Sequence, residues 1–163
     1  MNDFLEQVWL DNKVSDYLSV AGVVLFVWLL KRFSSRYIAG LLYKVVQKIW
    51  KEIYRQSFVK LVVRPLGFFL AILVSVVALY KLNFPAVLNV EVYKFTVKEI
   101  VHCLGNIILI VSFTSLLIRI IDFIALILEI KANLTPDQSD NQLIVFFKDF
   151  FKVILVIIGI MLV

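Results

Sequence analysis

Ile100 to Ile118 contains no charged residue, and that run decides which surroundings the chain tolerates. As a helix it would be about 28 Å long, close to the hydrocarbon thickness of a bilayer, about 30 Å. Two more uncharged runs accompany it. Tyr17 to Leu30 extends from Val14 to Phe33, and Leu66 to Tyr80 extends back through Leu61 to Val63 if Arg64 snorkels. Hydrophobic residues make up 62% of the 163 positions. A soluble domain holds roughly 45–50%. The excess must face lipid, because water would meet more apolar surface than a soluble monomer exposes.

Charge then sets the orientation. The net charge is +5, but its distribution is uneven. Residues 31–64 hold Lys31, Arg32, Arg36, Lys44, Lys48, Lys51, Arg55, Lys60 and Arg64 against Glu52 alone, a net +8. Residues 1–30 carry Asp3, Glu6, Asp11 and Asp16 against Lys13, a net −3. Cationic loops stay in the cytoplasm, so the N-terminus is expected outside. The positive charge follows the first apolar run, the reverse of a signal peptide. The apolar face of the same segment argues against a nucleic-acid partner and for anionic inner-leaflet lipid.

The expected fold is an all-α membrane protein, with four transmembrane helices and a basic amphipathic interfacial helix. Residues 1–99 supply peripheral helices: a first span over 14–33, the amphipathic helix over 36–60, a second span over 61–82 and an external loop over 83–99. In 36–60, Ile38, Leu42, Val45, Val46, Ile49 and Ile53 form an apolar stripe, and Lys44, Lys48, Lys51 and Arg55 fall within a narrow opposite arc. Such a helix lies in the inner headgroup layer or packs as a cytoplasmic helix with a solvated face. The external loop fits either two short extended pieces or one surface helix.

Residues 100–163 form a helical hairpin: a third span over 100–130, a polar hinge over 131–142 and a fourth span over 143–163. A helix over 100–130 would be roughly 46 Å long, so it tilts or projects beyond the lipid. Arg119 and Asp122 mark its inner boundary. After Lys152 only eleven residues remain, all uncharged. That covers about half a bilayer, so the sequence is expected to be the N-terminal part of a longer protein.

No chemistry-bearing constellation accompanies this pattern. One His and one Cys, His102 and Cys103, provide neither a metal cluster nor a disulfide. With no phosphate-binding glycine loop and no nucleophile–base set, the expectation is no enzyme, no cofactor and no metal. Asn106, Ser112, Thr114 and Ser115 suit a polar path or, more commonly, hydrogen bonds to a neighbouring helix or their own preceding turn.

Residues 137–143, Asp137-Gln138-Ser139-Asp140-Asn141-Gln142-Leu143, are followed by Lys148, Phe151-Lys152-Val153 and an Ile/Val/Gly run. This resembles the segment before the pore helix of small-conductance mechanosensitive (MscS-like) channels. The resemblance covers roughly residues 100–163, and residues 1–99 would be the extra peripheral helices of longer members. The family's Gly/Ala-rich pore helix and cytoplasmic vestibule are absent, so this chain alone should not conduct ions. The resemblance implies a tension-sensing region coupled to a pore helix beyond residue 163, a homo-oligomer (heptamer) in the bacterial inner membrane and a role in osmotic stress. Pro136, Asp137 and Asp140 would form the hinge. Lys44, Lys48, Lys51, Arg55, Arg119, Lys148 and Lys152 are the candidate lipid-interface residues. The competing expectation is a small multi-pass scaffold or assembly protein without channel activity.

Overall fold

A computed structural model describes residues 6–29, 55–85, 91, 92, 95–133 and 139–163. The chain is mostly helical. It opens with a small hairpin, β1 (Val8–Trp9) and β2 (Asn12–Lys13), which pairs Val8 with Lys13 and Trp9 with Asn12. Helix α1 (Val14–Leu29) follows without a linker. Its start is fixed by the Asp16 carboxylate, which accepts from the Lys13 N–H at 3.2 Å. A helix start leaves N–H groups without intrahelical partners, and this bond satisfies one of them.

The next described element is one continuous helix in three parts: α2 (Arg55–Phe58), a π-helical turn (Val59–Val63) and α3 (Arg64–Tyr80). It begins earlier than the expected second span. No break separates residues 55–60 from the span, because the Arg64 N–H reaches back to the Val59 carbonyl in a wide turn. That turn places Phe58 and Val63, five residues apart, in one buried cluster with Phe123 and Ile127. An ordinary α turn would rotate positions five apart onto different faces. Pro65 follows the π turn inside this continuous helix, so the turn falls where the ring removes a backbone donor from the ladder.

The loop after α3 resolves the alternative left open by the sequence. It contains two short strands, β3 (Glu91–Val92) and β4 (Phe95–Thr96), paired antiparallel. Helix α4 (Val97–Ala132) starts directly from β4. Thr96 and Glu99 form a reciprocal capping box: the Glu99 N–H donates to Thr96 Oγ1 at 3.3 Å, and the Thr96 N–H donates to Glu99 Oε2 at 2.9 Å. Helix α5 (Ser139–Leu162) returns antiparallel to α4.

Two helices are long and apolar enough to cross a membrane, Gln56–Tyr80 and Val97–Ala132. Only 17% of the most apolar window of each is buried. The core helix of a soluble protein would hide that surface, so the exposure favours lipid. The expected four crossings are therefore matched in part. Val14–Leu29 is apolar but shorter, and α5 carries Lys148, Asp149 and Lys152 in its first half.

Three aromatic rungs hold α2–α3 against α4. Phe58 meets Phe123 and Phe69 meets Phe113, both with ring centroids 5.4 Å apart, and Tyr80 stacks on His102 at 4.6 Å. Phe69 and Tyr80 are eleven residues apart in α3, about three helical turns, and share one face, while Phe58, on the other side of the π turn, also meets α4. The Tyr80 hydroxyl closes the last rung, 3.1 Å from the His102 carbonyl oxygen and 3.0 Å from Asn106 Oδ1.

A second tie joins the N-terminal hairpin to the end of α3. Asn12, only 4% exposed, donates from Nδ2 to the Asn83 carbonyl at 2.7 Å and accepts from the Asn83 N–H at 2.7 Å. One carboxamide thus satisfies both backbone groups of a residue 71 positions away. It puts the start of α1 and the end of α3 at the same end of the molecule. Asn12→Ala leaves those groups without their partner and is expected to cost about 1–3 kcal/mol. Hydrogen exchange should show it as faster exchange at the Asn83 amide, with the amides in mid-α3 unchanged.

Candidate functional site

The polar chemistry of the described residues concentrates where α4 and α5 meet. Lys148 and Lys152 are four apart on α5 and share a face. Asp122 and Glu129 are seven apart on α4, two turns, and share a face as well. Because the helices run antiparallel, the two faces oppose each other in reverse order. Lys152 Nζ pairs with Asp122 Oδ1, and Lys148 Nζ lies 3.5 Å from Glu129 Oε1. The acids are further apart along their helix than the lysines, and the flexible lysine stems take up the difference. Asp122 also takes Arg119, whose Nη1 lies 3.8 Å from Oδ2.

Burial separates the three cations. The Lys148 and Lys152 side chains keep about a quarter of their surface, 25% and 27%, whereas Arg119 keeps 54%. Apolar packing surrounds the pairs: Phe147 and Phe151 lie with Ile121, Ala125 and Leu128 around one groove beside Lys148. Ion pairs that share a low-dielectric seam are screened less than pairs on an open surface. The lysines are therefore held by partner carboxylates within the hairpin, and Arg119 is the cation of this group left facing outward.

The seam is closed at both ends. At the turn, Asn141 Nδ2 donates to Asn133 Oδ1 at 3.0 Å. At the far end, Gly159 lies against Thr114, closely enough that an added Cβ would stand 2.8 Å from Thr114 Oγ1. Next to that contact a cavity of about 360 Å³ opens, lined by Ser115, Ile118 and Val156 among others.

Not all of the expected site residues fall in view. Lys44, Lys48, Lys51, Pro136 and Asp137 lie outside the described residues, as does most of the expected amphipathic helix. Arg55 stands at the start of α2 and Asp140 in the first turn of α5. Arg119, Lys148 and Lys152 are brought together, but around the carboxylates of Asp122 and Glu129. Glu129 went unread in the sequence, and Asp122 was read, with Arg119, as the inner boundary of the third span. Their signal was present: opposite charges lie on either side of the polar stretch between Ala132 and Ser139. His102 is a stacking partner, Asn106 bonds to the neighbouring helix, and Ser112 Oγ donates to the Leu109 carbonyl at 2.9 Å. Cys103 is exposed. Among the described residues no group of three or more His, Cys, Asp or Glu is placed to hold a metal ion.

Comparison with known proteins assigns no family. No family model, no curated protein and no solved structure matches the chain. The geometry of the α4–α5 seam therefore carries the functional reading.

Proposed function

We propose that the chain is the membrane-embedded, tension-sensing region of a mechanosensitive ion channel, coupling lipid tension to a pore helix that follows residue 163 in a longer protein. In this reading it lies in a bacterial inner membrane with its N-terminus outside and four crossings, works as a homo-oligomer, and contacts anionic inner-leaflet lipid. The observation that carries the proposal is the hinged hairpin. Two antiparallel helices, α4 and α5, are separated by a short polar stretch of sequence, with the basic residues of the second helix facing acids of the first. Residues 137–153 have the same pattern of hinge and basic first turns that resembles the pre-pore segment of MscS-like channels.

The physical logic is one of area. A state that occupies more membrane area gains free energy under tension, so an equilibrium between two helix arrangements shifts toward the wider one. Helix α4, 36 residues and about 54 Å long, exceeds the hydrocarbon thickness and adapts by tilting. A change of tilt reaches α5 through the seam.

One observation favours the alternative, a membrane scaffold without conductance: Lys148 and Lys152 are satisfied within the hairpin, which leaves little of their charge for lipid. Patch recording of the full-length protein in liposomes separates the two. A sensor gives a tension-gated conductance, and replacing Lys44, Lys48, Lys51 and Arg55 with Gln shifts its threshold. Each such cation is worth about 1 kcal/mol at an anionic surface, so the combined shift should be large. No conductance up to the lytic tension favours the scaffold, and an unchanged threshold removes the cationic face from the mechanism.

A further inference from the structure

The turn between β1 and β2 is built from the wrong residues for a turn in water. Leu10 and Asp11 both have positive φ, 47° and 61°. A two-residue hairpin with this geometry ordinarily takes Asn-Gly or Asp-Gly, because a Cβ is crowded there and a branched apolar side chain gains nothing from solvent. Here the turn displays Leu10 at 46% exposure, next to Trp9 at 75% and Val8 at 65%. Three consecutive apolar side chains stand off the fold, at a steric cost that local bonds sustain. Asn12 Nδ2 donates to the Leu10 carbonyl at 3.0 Å, and the Tyr17 hydroxyl donates to the Trp9 carbonyl at 3.2 Å.

The position of the tip says what covers it. Through Asn12 and Asn83 the hairpin is tied to the end of α3, and α1 starts at the residue after β2. The tip therefore sits at the common end of two apolar helices, opposite the ends at Leu29 and Arg55. That is the depth at which hydrocarbon gives way to headgroups, and Trp is the side chain most suited to that zone. Its surroundings are acidic: Glu6, Asp11 and Asp16 outweigh Lys13. That balance disfavours an anionic surface and selects a zwitterionic one.

We propose that Val8, Trp9 and Leu10 form a membrane anchor that inserts into the headgroup–acyl boundary of a zwitterionic lipid leaflet. The inference rests on the reading that α1 and α3 cross the membrane. The anchor fixes the depth of one helix end, so a change in bilayer thickness loads the Asn12–Asn83 tie directly.

The chain has three tryptophans, Trp9, Trp28 and Trp50, which makes the test direct. The full-length protein with Trp28→Phe, Trp50→Phe and Phe at any tryptophan beyond residue 163 is reconstituted in phosphatidylcholine vesicles whose acyl chains are brominated near the headgroup or near the methyl end. A companion protein with Trp9→Phe, Trp50→Phe and the same changes beyond residue 163 keeps Trp28, which lies in α1 at 60% exposure. Trp9 should emit at blue-shifted wavelengths and lose most of its fluorescence to the shallow bromines and little to the deep ones. Emission that is water-like and quenched by aqueous acrylamide overturns the proposal. So does a blue-shifted Trp9 that neither bromine nor acrylamide reaches, which would place it in a protein contact. If Trp28 is quenched by bromine and Trp9 is not, the anchor fails alone. If neither is quenched, the membrane-spanning reading fails with it.

Discussion

Asp122→Asn is expected to loosen the α4–α5 hairpin more than any other single polar substitution. Asp122 is the carboxylate against Lys152 and also takes Arg119, so its loss affects two cations at once. Lys152 has the weaker fallback. It is followed only by uncharged residues, and its side chain is already three-quarters covered. A cation stripped of its partner in such a seam must snorkel out or draw in water. Partial exposure reduces the penalty relative to a deep pair, which places the loss at about 2 kcal/mol. Lys152→Met should cost less, because Asp122 keeps Arg119. The double variant Asp122→Asn/Lys152→Met should recover much of the stability, since Met removes the stranded ammonium and only the more exposed Arg119 is left without its carboxylate. Denaturant unfolding of the detergent-solubilised protein, run as a double-mutant cycle, measures the coupling. Additive effects would mean that the pair is a solvated contact with no part in closing the hairpin.

Gly159→Leu should be the most damaging steric substitution. The gap at Gly159 is already too small for a methyl group: a Cβ there would stand 2.8 Å from Thr114 Oγ1, 3.0 Å from Cγ2 and 3.4 Å from Cβ. Even Ala forces Thr114 to move, and Leu drives a branched side chain between the helices. Overpacking of this kind costs about 1–3 kcal/mol, with Leu at the upper end. Thr114→Ala removes the two nearest atoms and leaves an ordinary contact, so it should rescue Gly159→Ala. Gly22 in α1 has nothing within 4 Å of an added Cβ, and Gly22→Leu is the matched control. Thermal melting should show a large loss for Gly159→Leu, a small one for Gly159→Ala/Thr114→Ala and almost none for Gly22→Leu. Equal losses at the two glycines would remove the close approach from the account.

The sequence revealed the helices more readily than their partners. Uncharged runs located α1, α3 and α4 because an apolar helix leaves a local signal, a stretch of residues with no charge. The end of α2–α3 near Arg55 was harder to find. A π turn changes the helical phase, and no residue between Val59 and Val63 announces it. The start of α4 carried a signal that went unread: Thr96-x-x-Glu99 is a capping box by spacing alone, yet the span was expected from Ile100. The tie between Asn12 and Asn83 was not. A side chain that bonds to the backbone of a residue 71 positions away carries no pattern, because any residue offers that backbone. The ion pairs fall between these cases. Lys148 and Lys152 looked like lipid contacts while each helix was considered alone. Packing α5 against α4 sets them against Asp122 and Glu129, where they are half-buried and paired.

The three ring contacts between α2–α3 and α4 have a mechanical consequence. Each rod is gripped near its top, middle and bottom, at Tyr80–His102, Phe69–Phe113 and Phe58–Phe123. Neither rod can roll about its long axis without pulling all three stacks apart. The two are left free to lean together, like a plank hinged at one edge. On the proposed tension-sensing reading, a bilayer that thins or stretches would move them sideways in the plane, and displacement, not torque, would be what α5 receives.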